Sequence, residues 1–199
     1  MTSKVLLIGS GNRDKAAELR DLLADSGWEV RSLTDYPQIS EPVEDADTFE
    51  GNALLKARYY GAHFKVPCVA DDSGIEVDAL NGEPGVYSAR YAGESCTYDD
   101  NNRKMLAALA EVDADGRGAR FVCCAAFVDV DGKELVTRGE VAGAIVSECR
   151  GEHGFGYDPL FVPEGESETF GELGPEKKRK ISHRGKAFRK LCERIERET

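Results

Sequence analysis

An α/β fold with a mixed, twisted sheet and flanking helices is predicted by three features of the chain. Apolar strand-like runs alternate with helical spacings through roughly the first 70 residues. Phe121 to Val128 is an uninterrupted apolar run, the mark of a strand buried on both faces. Asp131-Gly132 then offers a tight turn that folds this run back onto Leu135 to Val146. No repeat, low-complexity tract or linker interrupts the 199 residues, so residues 1–199 are read as one domain.

The elements follow in order. Val5 to Ile8 is a short strand ended by Gly9-Ser10-Gly11-Asn12, after which Ala16, Leu19, Leu22 and Leu23 recur at helical spacing. Trp28 to Leu33 reads as a second strand. A loop with Pro37 and Pro42 and an acidic stretch, Glu41, Glu44, Asp45 and Asp47, leads to Thr48, a cap for a helix with Phe49, Ala53, Ala57 and Tyr60 on one face. Cys68-Val69-Ala70 is a short third strand that runs into Asp71-Asp72-Ser73-Gly74. Asn81 to Gly85 is a turn, and Tyr98 to Val112 carries Met105, Leu106, Leu109 and Val112 at helical spacing. After the central hairpin come a glycine-rich loop from Gly151 to Asp158, a short strand from Leu160 to Val162, and a last helix with Ala187, Phe188, Leu191 and Ile195 on one side.

Charge narrows the function classes. The net charge is −11, from 26 Lys+Arg against 37 Asp+Glu, which argues against a nucleic-acid polymer as partner. The basic residues are unevenly spread, because Lys177 to Thr199 holds ten of them against three acids. A local anion site or a solvated basic helix end would each produce that segment. No apolar run reaches the roughly 20 residues of a membrane span, and Val5 to Ile8 is too short for a signal-peptide core. The six cysteines show no Cys-x-x-Cys spacing, and with three histidines no zinc pattern arises. A soluble, cytoplasmic protein in a reducing compartment is expected.

Several motifs carry chemistry. Gly9-Ser10-Gly11 begins like a dinucleotide fingerprint, but Asp14 stands where the third glycine belongs, and no P-loop pattern is present. What remains, Ser10, Gly11, Asn12, Arg13, Asp14 and Lys15 at a helix start, suits a phosphate through free N–H groups and a lysine. Asp71 and Asp72 follow an apolar strand and would repel each other unless a cation or lysine compensates. Hard oxygen ligands such as Asp72, with Glu44 from the acidic loop, suit Mg2+ completed by substrate phosphates. Phe155-Gly156-Tyr157-Asp158 offers aromatic faces for a base, and Lys178, His183 and Arg184 offer donors. Each motif alone is as readily an ordinary turn, cap or core residue.

Together they are more specific. Ser10 to Lys15, Thr48-Phe49-Glu50-Gly51-Asn52-Ala53-Leu54-Leu55-Lys56-Ala57, Ala70 to Gly74, Gly85-Val86-Tyr87-Ser88-Ala89-Arg90-Tyr91, Gly154 to Pro159 and Ser182 to Gly185, in this order, closely resemble the inosine triphosphate pyrophosphatase family. The resemblance implies a mixed α/β fold of two lobes around a central cleft, a homodimer, and Mg2+-dependent hydrolysis of ITP, dITP and XTP to monophosphate and pyrophosphate. It further implies that Ser10 to Lys15 and Lys56 hold phosphates, that Glu44 and Asp72 bind metal, and that Asp72 also activates water. Ser73, Phe155, Gly156, Tyr157, Asp158, Lys178, His183 and Arg184 would complete the nucleotide site. Gly51 replaces an acid common in relatives, which leaves Glu50 without a role. The alternative is a septum-formation-type nucleotide pyrophosphatase acting on pyrimidine or modified nucleotides.

Overall fold

The computed structural model describes residues 4–24 and 26–198, so the single-domain reading over 1–199 reaches onto a few residues outside it. Eleven regular elements follow one another: β1 (Val5–Ile8), α1 (Arg13–Leu23), β2 (Glu29–Ser32), α2 (Phe49–Phe64), β3 (Cys68–Val77), α3 (Tyr98–Ala108), β4 (Gly118–Val128), β5 (Glu134–Ile145), β6 (Phe161–Pro163), α4 (Pro175–Ile181) and α5 (His183–Glu198). The six strands form one sheet in the order β2-β1-β3-β4-β5-β6. β1 runs parallel to β2, from Val5 opposite Glu29 to Ile8 opposite Ser32, and parallel to β3. β6 lies antiparallel to β5. The expected mixed α/β sheet is therefore what forms.

The chain divides into two compact units. The first comprises Met1–Asp72, Cys123–Gly139 and Arg184–Thr199, and the second Ser73–Val122 and Glu140–His183. In the first, Leu6, Ile8, Val69, Cys123, Ala125 and Phe127 from the sheet pack with Leu19 and Leu23 of α1 and with Ala187, Phe188, Leu191 and Ile195 of α5. These are the helical positions expected from spacing, and they are buried because each lies on one stripe of its helix. Trp28 joins the same core edge-on to Phe127, at 6.4 Å between ring centroids. In the second unit, Ile75, Val77, Met105, Leu109, Phe121, Ile145, Leu160, Phe161 and Phe170 form the core.

Caps begin the helices where the sequence places cap residues. Asn12 accepts from the backbone N–H groups of Asp14 and Lys15 at 3.0 and 3.1 Å, starting α1. Thr48 accepts from Gly51 at 3.1 Å, starting α2, which ends where Lys65 turns left-handed. Thr97 and Asp100 form a reciprocal capping box on α3.

Several boundaries differ from the sequence reading. β3 is ten residues long and carries Asp71-Asp72-Ser73-Gly74 inside the strand, where a short strand ending at Ala70 was expected. Polar residues look like a turn when only local sequence is considered, but here their side chains find charged partners and the backbone stays extended. β4 starts three residues before Phe121, and α3 stops at Ala108, with Leu109 as its cap rather than continuing to Val112. β2 yields Leu33 to a 3-10 turn, and β6 is shifted one residue from Leu160 to Val162. The C-terminal region holds two helices, α4 and α5, where one was read, because Ser182 takes an extended conformation (ψ 155°) between them.

Candidate active site

In the first unit, β3 sets two acids on opposite faces because successive strand residues alternate. Asp71 points toward α1 and α5: its Oδ2 lies 3.5 Å from Lys15 Nζ and 3.2 Å from Arg184 Nε. Arg184 also pairs with Glu18 of α1, and the Cys123 thiol lies 3.9 Å from the same Asp71 oxygen. Burial pulls on the Arg184 guanidinium, but Asp71 and Glu18 outweigh it and hold its pKa above the usual arginine range. The repulsion expected between Asp71 and Asp72 is thus met by cations on each face.

Asp72 points the other way, toward α2. Asn52 and Lys56 are four residues apart on that helix and so share a face. Asn52 Nδ2 donates to Asp72 Oδ2 at 3.1 Å, and Lys56 Nζ lies 3.6 Å from Asp72 Oδ1. Lys56 also donates to Glu44 at 2.7 Å, and Asn52 Oδ1 accepts from the Ala46 N–H at 3.0 Å, tying the acidic loop to the helix. Burial pushes the Asp72 carboxyl up, against the pull of Lys56 and Lys15. Burial alone would lower Lys56, yet Asp72, Glu44 and Asp71 raise it, so the lysine stays charged.

The Gly9 to Lys15 turn leads into α1, whose first N–H groups at Asp14 and Lys15 are capped by Asn12. A Cβ on Gly11 would meet the end of the Glu41 side chain, so an anionic group already lies against this turn.

In the second unit, the loop Phe155-Gly156-Tyr157-Asp158 folds on itself. Asp158 is 2% exposed, accepts from the Phe155 N–H at 2.7 Å and pairs with Lys178 of α4 at 2.7 Å. Gly154 has φ +74°, and a Cβ there would strike the Asp158 carboxylate. Lys178 Nζ sits 5.1 Å from the Phe155 ring centroid, and the two interact as cation and π face. His183 stacks flat on Phe121 at 4.6 Å and 6°. Tyr157 is 4% exposed within the core, and its hydroxyl donates to the Ser88 carbonyl at 2.9 Å.

Of the residues singled out from sequence, Lys15, Lys56, Glu44, Asp72 and Arg184 belong to connected ion pairs of the first unit, with Ser10 to Asp14 in the turn that leads to Lys15. Phe155 to Asp158, Lys178 and His183 belong to the second unit, where Lys178 and Asp158 pair and His183 takes Phe121 as its partner ring. The chain passes between units at Asp72-Ser73 and His183-Arg184, so neighbours in sequence divide between the two sets. The basic C-terminal segment is not merely solvated, since Lys178, His183 and Arg184 are each 5% exposed or less. Sequence reasoning passed over Asn52, Glu18 and Phe121; only for Asn52 was a signal present, its i to i+4 spacing to Lys56.

The chain resembles known proteins over nearly its whole length. The model of the Ham1 family matches residues 6–194. A dITP/XTP pyrophosphatase of Nocardia farcinica is 49% identical over 194 residues, covering 96% of this chain and 94% of the relative. One from Elusimicrobium minutum is 45% identical, covering 96% and 98%. Among solved structures, the Staphylococcus aureus Ham1 protein superposes with a TM-score of 0.85 at 38% identity, covering 98% of this chain and all of that one. With the family model spanning nearly the whole chain, and relatives and solved structures alike agreeing over its full length, this protein belongs to the Ham1 family.

Proposed function

We propose that the chain hydrolyses the non-canonical purine nucleoside triphosphates ITP, dITP and XTP to the monophosphate and pyrophosphate, clearing them from the nucleotide pool before they enter DNA or RNA. The dITP/XTP pyrophosphatases that resemble it over their whole length support the reading, whereas the septum-formation-type alternative finds no support. The observation that carries it is the paired arrangement on β3, Asp72 with Asn52, Lys56 and Glu44 on one face and Asp71 with Lys15 and Arg184 on the other.

Hydrolysis between the α and β phosphates needs a base for water, donors on the leaving pyrophosphate and relief of developing charge. Asp72 is the base; burial raises its proton affinity toward the useful range, and Asn52 fixes its orientation. Lys15 and Lys56 grip the phosphates, joined in our reading by the Ser10 to Asn12 turn that leads into α1. Arg13 and Asp14 flank that end of the helix. The residues present suit Mg2+: Glu44 and Asp72 already share one cation, the Lys56 ammonium, through hard oxygen donors. No cluster of three or more such ligands occurs among the described residues, so these two carboxylates would leave most of the coordination shell to water and phosphate, as Mg2+ prefers. When bound, the ion supplies charge neutralisation at the phosphates.

In the second unit, Phe155 offers the stacking face and Lys178, held by Asp158, a fixed cation beside it. Ser73, Gly156 and Tyr157 complete this set in our reading. Inosine and xanthosine carry a carbonyl at position 6 where adenosine carries an amino group. A donor at His183 or Arg184 would accept one and reject the other. Because Arg184 Nε and Nη1 already serve Asp71 and Glu18, we assign this reading to His183.

Steady-state kinetics over ITP, dITP, XTP, ATP, GTP and pyrimidine triphosphates, with pyrophosphate detection, tests the proposal. ITP, dITP and XTP should lead, and chelation should stop turnover until Mg2+ is restored. Comparable kcat/KM for ATP and ITP would sink it. No described helix is long and apolar enough to cross a membrane. The homodimer and cytoplasmic location that the family resemblance implies belong to the same proposal, and light scattering and cell fractionation test them.

A further inference from the structure

Two adjacent asparagines in α3, Asn101 and Asn102, are buried at 1% and 6% exposure, and they differ in how their amides are used. Asn101 uses both ends: its Oδ1 accepts from the Ala92 N–H at 2.7 Å and its Nδ2 donates to the Ala89 carbonyl at 3.1 Å. It thereby straps down the end of the Gly85–Arg90 turn, the one motif of the sequence that the proposed chemistry does not employ. Asn102 uses one end. Its Nδ2 donates to the Gly156 carbonyl at 3.0 Å, while its buried Oδ1 has no hydrogen-bond partner among the described residues. The assignment of the two atoms follows from chemistry, since a carbonyl only accepts and so must face the nitrogen.

A buried acceptor left unmet is unfavourable. Leucine would fill similar space without the unmet Oδ1 but would leave the Gly156 carbonyl without its donor, so the amide is accounted for by what its Nδ2 holds. What the amide does hold is the peptide at Gly156, at φ +63° in the middle of the turn from Phe155 to Asp158. The rest of that turn is tied at its ends, by Phe155 N–H to Asp158 Oδ2 and by Asp158 N–H to the Phe155 carbonyl at 3.3 Å. Tyr157 anchors it to Ser88. Asn102 adds a side-chain hydrogen bond at Gly156, in the half-buried part of the turn, next to the ring that offers the stacking face.

We propose that Asn102 is a positioning residue for base recognition, fixing the Gly156 peptide and through it the Phe155 ring. The proposal rests on the base-binding role given above to Phe155. A residue that only sets the shape of a binding loop affects substrate and transition state alike, so its loss raises KM with little change in kcat.

Asn102→Leu tests this. The variant should stay folded with a melting temperature near that of the wild type, because the unmet Oδ1 is gone while the Gly156 carbonyl loses its donor. Its KM for ITP should rise roughly tenfold with kcat within about twofold, the loss expected for one net hydrogen bond. Amide exchange at Phe155 and Asp158 should quicken while the α3 amides stay protected. If a folded variant keeps the wild-type KM and exchange rates, or loses kcat together with melting temperature, the proposal is overturned. Should leucine prevent folding, Asn102→Asp carries the same readings, since it keeps the shape and loses the donor. A wild-type enzyme without preference for ITP would instead defeat the proposed function, and the exchange measurement alone would then decide the role of Asn102.

Discussion

At the residue scale, the acids of β3 differ in consequence because their partners differ. Asp72→Asn keeps the shape and the contact to Asn52 but removes the base, so kcat for ITP should fall by about 10² to 10⁴ while the melting temperature changes little. A variant with near-wild-type kcat would remove Asp72 from the chemistry. Lys178 presents the opposite case. Its pair with Asp158 is buried on both sides, at 7% and 4% side-chain exposure, and Asp158 also orders the Phe155 turn. Lys178→Met would leave that carboxylate uncompensated, for a loss of about 3–5 kcal/mol measured by denaturant unfolding. Neither role is legible from the residue alone, since Asp71 and Asp72 are identical in type and adjacent. Strand alternation separates them, and that alternation becomes visible only once β3 is known to continue through both.

At the element scale, caps and apolar spacing carried most of the information. α1, α2 and α5 bury the faces predicted for them, since an amphipathic stripe has one way to meet a core. Thr48→Ala removes the side chain that accepts the Gly51 N–H and should lower stability by about 1 kcal/mol in chemical denaturation. The larger consequence belongs to function, because α2 also holds Asn52 and Lys56. Activity should therefore fall further than the stability change requires, and equal losses in both would show that the cap acts on the fold alone. The elements that sequence misjudged were those whose local composition opposes their structure. β3 carries Asp71-Asp72-Ser73-Gly74 in its interior, and ion pairs from α1, α2 and α5 meet its acids in the extended strand. The break between α4 and α5 falls at Ser182, where nothing in the run from Lys177 to Lys190 signals a stop by periodicity.

At the scale of the whole molecule, buried ionisable groups make stability depend on pH. Burial pushes the Tyr60 hydroxyl up to about 12, against an ordinary value near 10, and raises the Tyr157 hydroxyl and the Cys68 thiol in the same direction. Each is an acid whose folded form holds its proton longer than the unfolded chain does. Stability contributed this way is complete below the unfolded pKa and declines as pH rises toward the folded one. Unfolding free energy should therefore drop between pH 10 and 12, with Tyr60 adding up to about 1.4 kcal/mol per pH unit. Tyr60→Phe should flatten part of that slope in urea titrations across this range; an unchanged slope would show that Tyr60 does not titrate late.

The charge distribution also changes meaning at this scale. A net −11 argues against a nucleic-acid polymer, yet Lys15, Lys56, Lys178 and Arg184 are each drawn into ion pairs with carboxylates. Some of the acidity therefore belongs to the site rather than to the surface. Composition counts charges but cannot tell which are paired.

Sequence by itself determined the α/β class, the order of the strands, the Thr48 cap and the set of motifs that mark the family, because these depend on near-neighbour spacing and residue type. Tertiary structure alone decided that β3 runs on through its acids, that Asp71 and Asp72 face different cations, that the basic C-terminal segment is buried at Lys178, His183 and Arg184, and that Asn102 holds Gly156. Those are contacts between residues separated by up to 113 positions, and their energies depend on burial and on partners that local sequence does not contain.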